Sequence, residues 1–163
     1  MKLSDLAEGL NKPIHFEERP VSKELMLELL NIAVWAPNDG LREPWRFIYV
    51  DGQNSGILNR LQEPAPAYLL IVMQAEHDSH KQEEDFAAVS CLIQNFRLLA
   101  HERSLGVRWT LNEWTYDRKH AEAFMLQDDE RIAAVLEVGH IAVHADVTSE
   151  KALQEPQLRF ELL

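Results

Sequence analysis

The sequence predicts one α+β domain, with a central mostly antiparallel sheet flanked by helices. Three observations carry that prediction. Tyr68-Leu-Leu-Ile-Val-Met73 is a continuous apolar run of strand length, which implies a strand buried on both faces. Residues 83–105 form a far longer segment whose apolar residues recur at helical spacing. Helix-like and strand-like segments alternate, but their connections are too uneven for a regular doubly wound parallel sheet.

Each element has a local reason. Ser4 to Leu10 reads as a short opening helix with Leu3, Leu6 and Leu10 on one side, ended by Pro13. Glu17-Glu18-Arg19-Pro20 is an extended connector. Ser22 is a candidate N-cap, with Glu24 in the positive first turn and an apolar face of Leu25, Met26, Leu29, Leu30, Ile32 and Ala33. Ala36-Pro37 stops that helix, and Asn38-Asp39-Gly40 supplies turn chemistry. Trp45 to Val50 reads as a strand closed by Asp51-Gly52.

The acidic run Glu83-Glu84-Asp85 starts the long helix, Phe86, Val89, Leu92, Ile93, Phe96, Leu99 and Ala100 form its stripe, and Gly106 serves as the residue that stops it. Val107 to Leu111 follows as a strand, Asp117 caps a short helix through Phe124, and Ile132 to Val143 is the last long strand, with a break at Gly139. The chain is one domain over 1–163, of which 148–163 is a polar tail or an arm laid on a partner subunit.

Composition narrows the function. The 163 residues are 46% hydrophobic, enough for a real core, so disorder is excluded. Sixteen basic against 27 acidic residues give a net charge of −11, which repels nucleic acid and anionic membrane surfaces. Cys91 is the sole cysteine, ruling out an internal disulfide and a cysteine-rich metal site. It reads as a small buried hydrophobe. No apolar run approaches the ~20 residues of a membrane helix, and Met1 to Asp5 shows no signal-type core, so a cytoplasmic location is expected.

His77 and His80 beside Glu76, Asp78, Glu83 and Glu84 are best explained as a solvated loop, and no metal is expected. His101 suits the negative end of its helix, and His140 and His144 read as structural. Isolated Gly106 and Gly139 make no phosphate loop.

The stretch Val34-Trp-Ala-Pro-Asn-Asp-Gly-Leu-Arg-Glu-Pro-Trp-Arg-Phe47 brings a helix end, a tight turn and a strand start together. It closely resembles the first flavin motif of the FMN-dependent nitroreductase family. Three further pieces resemble that family in the expected order: Phe16 to Leu25, Asp85-Phe86 through Leu105-Gly106, and Val107-Arg-Trp-Thr-Leu-Asn112 with Ile132 to Gly139. The likeness spans most of residues 1–143.

The resemblance implies a homodimer holding FMN at its interface. It also implies NAD(P)H as electron donor and a small-molecule acceptor such as a nitro compound or quinone. No protein nucleophile is needed, because the flavin carries the redox chemistry. By position, the resemblance puts Trp35, Asn38 and Asp39 beside the flavin, in part from the second subunit, and Trp109, Thr110 and Leu111 against its ring. Leu10, Asn11, Lys12 and His15 fall where the family holds the phosphate, and Arg159 is the late basic residue of the tail.

Two departures stand out. The family's paired arginines are replaced here by Leu10-Asn11-Lys12-Pro13-Ile14-His15, which keeps one permanent cation. The middle excursion, Asp51 to Ala67, is short. Weak FMN binding is therefore expected. The alternative is a dimer of the same fold that binds little or no FMN and acts as a binding or structural protein.

Overall fold

The computed structural model describes residues 2–143 and 156–163. Ala67–Gln74 (β2) lies inside a four-stranded sheet ordered β1-β2-β4-β3, with Arg46–Asp51 (β1), Leu105–Thr110 (β3) and Glu130–His140 (β4). Every neighbouring pair is antiparallel. Ala67 to Met73 are all buried, as a central strand covered on both faces must be.

Lys23–Ala33 (α2) and Ser79–Glu102 (α4) cover one face of the sheet. Leu29, Val89, Leu92 and Phe96 pack there on Leu69, Ile71, Leu136 and Val138. The other face is covered by Leu58–Leu61 (α3), a 3₁₀ turn at Glu113–Tyr116 and the neighbourhood of Arg118–Ala123 (α5), around Leu58, Tyr68, Leu70, Phe124, Ile132 and Val135. A bulge between Ile71 and Val72 leaves Ala133 extra, so the residues of β4 that face the helices change parity there. Beyond it, Leu136 and Val138 face the helices while Glu137 and Gly139 face away.

The predicted caps form. Ser22 Oγ accepts from the Leu25 amide at 3.2 Å, and Asp117 Oδ1 from the Lys119 amide at 2.9 Å.

Four expectations are corrected. The long helix begins at Ser79, because Asp78 Oδ1 accepts from the amides of His80 and Lys81 at 2.9 and 3.2 Å; the segment read as a solvated loop is thus partly its first turns. The residue that stops that helix is Ser104, in the left-handed region at φ 59°, so Gly106 is free to lie within β3. β4 runs unbroken through Gly139 and ends at His140; Ile141 then bridges to Phe16. Cys91 is exposed, on the side of α4 opposite its core stripe. Phe96 is fully buried in the chain's own core, and the exposed face of α4 is marked by Ala87 and Cys91.

Gly106 and Gly139 face each other across β3 and β4. A Cβ on Gly139 would sit 2.7–2.8 Å from carbons of Phe16 and Pro66, and one on Gly106 would sit 2.5 Å from Ile14 Cγ2. The pair makes a side-chain-free seat in the sheet for the Ile14–Phe16 segment. That segment is locked by Glu17 N–H to the His140 carbonyl at 2.8 Å and Ala142 N–H to the His15 carbonyl at 2.9 Å.

No helix of the described residues is long and apolar enough to cross a membrane. Residues 156–163 carry no regular structure and are exposed. Residues 144–155, which include His144 and the start of the predicted arm, lie outside the described residues.

Candidate functional site

The turn after α2 is built by Asn38. Its side-chain oxygen accepts the Glu43 amide at 2.9 Å, and its side-chain NH2 donates to the Ala36 carbonyl at 3.2 Å. Between these anchors the backbone enters the left-handed region three times, at Gly40 (φ 57°), Leu41 (φ 53°) and Glu43 (φ 48°). For Leu and Glu that conformation costs roughly 1–2 kcal/mol each. Strain of this kind persists where the surroundings over-determine it, and it collects at ligand sites. Trp35 is 86% and Leu41 82% exposed, so the turn carries large apolar groups into solvent.

Arg42 ties the turn to α4. Its NH2 donates to Asp85 Oδ1 at 2.8 Å, with Glu84 at 3.7 Å and Asp39 at 3.9 Å. Burial pushes the Asp85 carboxyl above its ordinary value, and Arg42 pulls against it.

The 10–15 segment follows the first helix, Leu3–Gly9 (α1), and is tied to the other half of α4. Arg97 NH2 donates to the Leu10 carbonyl at 2.8 Å. Asp85 and Arg97 are twelve residues apart on one helix, about 18 Å at the usual rise. Leu10, Asn11, Lys12 and His15 are thus held far along α4 from the tether of the turn that carries Asn38 and Asp39.

β3 is an edge strand. Trp109 shares parity with the core residues Val107 and Leu105 on the helix side and is 38% exposed; Leu111 beyond it is 36% exposed. The Thr110 side chain points to the opposite face, where Gln62 Nε2 donates to its hydroxyl. The Thr110 side chain therefore does not share a face with Trp109. Arg159 is exposed.

Sequence reasoning missed the polar core beneath β3. Glu137 is 1% exposed; its Oε1 accepts from Gln62 Nε2 at 3.1 Å and its Oε2 lies 2.7 Å from Arg108 Nε. Gln62 Oε1 in turn accepts from Trp114 Nε1 at 2.8 Å and from Asn112 Nδ2. Arg108 also reaches Glu63 at 2.7 Å and lies over the Phe16 ring at 4.6 Å. This network fixes the stretch from Arg108 to Trp114, and with it the pose of Trp109. The available signal was a lone glutamate inside the apolar run Ile132 to Val138.

Burial pushes the Glu137 carboxyl above the ordinary glutamate value; Arg108 lowers it in part, and Glu63 raises it. The folded chain then binds this proton more tightly than the unfolded chain. Stability should fall as pH rises from ~4.3, the unfolded value, through the raised one, and then level off. Glu137→Gln is expected to lack that decline. Urea midpoints of both proteins across pH ~4–8 check this; a difference between them that stays flat with pH contradicts it.

A cleft of about 1050 Å³ runs between residues 16–24 and 49–66 and contains none of the sequence-predicted site residues. No cluster of metal-ligating side chains occurs among the described residues. His80 sits in α4's first turn, 3.1 Å from Glu84, and His140 contacts the Arg19 guanidinium, both structural placements.

A family profile described as the nitroreductase family matches residues 15–64. The chain resembles a Bacillus cereus nitroreductase-like family protein of known structure, with a TM-score of 0.80 at 26% identity, covering 99% of this chain and 92% of that one. A Desulfovibrio desulfuricans protein crystallised in complex with FMN superposes with a TM-score of 0.72 at 22% identity, covering 97% and 99%. A Bacillus subtilis protein named "Putative NAD(P)H nitroreductase YfhC" is 33% identical over 162 residues, spanning 85% of this chain and 84% of its own. With a third of its residues shared across that span and its fold superposing on a nitroreductase-like protein over nearly its whole length, this chain belongs to the nitroreductase family.

Proposed function

We propose that the protein is an FMN-dependent NAD(P)H oxidoreductase that acts as a homodimer of single-domain subunits on electron-poor acceptors such as nitro compounds and quinones. The observation that carries this reading is the strained, exposed turn at Asn38–Glu43, which falls within the part of the chain matched by the family profile. The name of the B. subtilis relative and the FMN complex of the D. desulfuricans protein support it.

The residues fit the cofactor. The contorted turn offers backbone groups for a planar heterocycle, Trp109 and Leu111 offer an apolar edge, and Lys12 offers an ammonium group that could meet the phosphate. Bound FMN would supply the redox chemistry, accepting hydride from NAD(P)H and passing electrons on. The chain's part is to bind, orient and exclude water. Asn38 holds the turn, Gln62 and Glu137 hold the Trp109 strand, and Lys12 and His15 would help to hold the phosphate.

The separation of the two half-sites along α4 supports a shared site. Two copies related by a twofold axis, with their α4 helices antiparallel along the open Ala87/Cys91 face, would bring the turn of one toward the 10–15 segment of the other. The exposed Trp35 and Leu41 would then be covered by the partner.

Purified protein is expected to be a dimer at micromolar concentration, yellow or turned yellow by added FMN, and to release flavin on denaturation. Loss of the family's arginine pair predicts partial occupancy. Lys12→Ala should weaken FMN retention by roughly tenfold or more, the worth of one charge-assisted contact, while Lys81→Ala in α4's first turn should leave it unchanged. Equal effects of the two substitutions would refute the phosphate assignment.

A second reading, a flavin-poor dimer that serves as a binding or structural protein, is favoured by one observation, the Leu10–His15 segment with its single fixed cation. A colourless protein that excess FMN cannot reconstitute would select it.

A further inference from the structure

We infer that Arg97, on the central helix, is the guanidinium that anchors the phosphate monoester of the cofactor, replacing from α4 the arginines that the N-terminal segment lacks. The inference rests on the flavin reading above and names a residue that no sequence motif marks.

Arg97 is a half-buried cation with an unfinished environment. Its NH2 donates to the Leu10 carbonyl at 2.8 Å and its NH1 to Gln94 Oε1 at 3.3 Å, while its Nε is buried with no acceptor among the described residues. Arg19, Arg42, Arg46, Arg103, Arg108 and Arg118 each pair with a carboxylate, and Arg131 lies over the Phe86 ring. Among the described residues Arg97, Arg60 and Arg159 have neither kind of partner, and of these three only Arg97 is withdrawn from solvent. Burying a guanidinium without a counter-charge is unfavourable, and burial alone pulls this group below the ordinary arginine value. An anion would supply the counter-charge that none of the described residues gives.

The position says which anion. The Leu10 carbonyl that Arg97 grips immediately precedes Asn11 and Lys12, and Pro13 to His15 follow, pinned at the His15 carbonyl by Ala142. His101 lies one turn further along α4, its Nε2 4.0 Å from where a Cβ on Gly9 would stand. Arg97 and His101 thus stand beside the Gly9–Leu10 start of the segment that carries Lys12 and His15, in a chain of net charge −11. A guanidinium has a permanent charge and a planar fork that matches phosphate oxygens, and three N–H groups of Arg97 remain unused. The Leu10 contact aims the fork, so the helix performs what the family's leading segment ordinarily does.

The test is parallel titration with FMN and with riboflavin, which lacks the phosphate, read by flavin fluorescence. The proteins are wild type, Arg97→Met, Arg97→Lys and Arg118→Met; the last removes the same charge from the opposite face of the sheet. Wild type is expected to prefer FMN. Arg97→Met should lose roughly tenfold or more in FMN affinity with riboflavin affinity unchanged, Arg97→Lys should fall between, and Arg118→Met should change neither.

An unchanged preference for FMN over riboflavin in Arg97→Met overturns the inference. If that variant does not fold, Arg97→Lys decides: FMN losing no more than riboflavin overturns it. If wild type binds neither flavin, the functional reading fails and Arg97 is judged by inorganic phosphate at constant ionic strength. A phosphate-dependent rise in Tm that Arg97→Lys diminishes supports the anion site, and no rise in wild type overturns it.

Discussion

Arg108→Met is expected to destabilise the protein by roughly 3 kcal/mol, the lower end of the ~3–5 kcal/mol cost of breaking a buried ion pair. The lower end applies because about a quarter of the Arg108 side chain remains exposed (26%), so solvent screens part of the interaction. Glu137 has no such relief at 1% exposure, and without Arg108 it must either carry its charge unpaired or take up a proton. Against a total stability of ~5–15 kcal/mol this is a large loss. Adding Glu137→Gln should restore most of it, since the amide oxygen can still accept from Gln62 and no charge is left behind. Urea denaturation of wild type, both single variants and the double variant measures the coupling. A single-variant loss below about 1 kcal/mol would mean the pair is solvated and the polar core does not hold Trp109.

The second large effect is expected at Gly139. In the middle of a strand, valine ordinarily gains up to ~1 kcal/mol in strand propensity over glycine. Here its Cβ would stand 2.7 Å from Phe16 and 2.8 Å from Pro66, so overpacking, at ~1–3 kcal/mol or more, wins. Gly139→Val should therefore lower Tm and lift Ile14–Phe16 off the sheet. His15 and Lys12 move with that segment, so FMN retention should fall as well. Gly56→Ala is the control, since no atom lies within 4 Å of its added Cβ. A Gly139→Val protein as stable as Gly56→Ala would show that the Phe16 ring swings aside freely and that the glycine pair is not a seat.

Local chemistry made much of the fold legible. Tyr68 to Met73 announced a two-sided strand by leaving no polar position, and Ser22 and Asp117 announced helix starts because their side chains have one good use there. Helix ends were less legible. Gly106 was the obvious stop for α4, yet Ser104 takes the left-handed position and Gly106 is needed where a side chain would strike Ile14. That requirement is tertiary and leaves no trace in spacing.

The start of α4 was hidden because Asp78 sits in a run of acidic and polar residues, any of which could cap. The site was legible as a motif and illegible as an environment. Asn38 to Glu43 could be found from the helix end and turn residues. Gln62 and Arg97 act through partners 40–90 positions away along the chain, Glu137 and Leu10 among them. Cys91 read as buried because its neighbours are apolar, but those neighbours lie on the core side of a helix whose outer face it occupies.

The 24-residue length of α4 has a thermodynamic consequence. If each pocket is completed only across two chains, cofactor binding and association are linked equilibria, and each strengthens the other by mass action. Diluting the protein should then release flavin, apparent affinity should rise with protein concentration, and added FMN should hold subunits together at concentrations where the bare chains part.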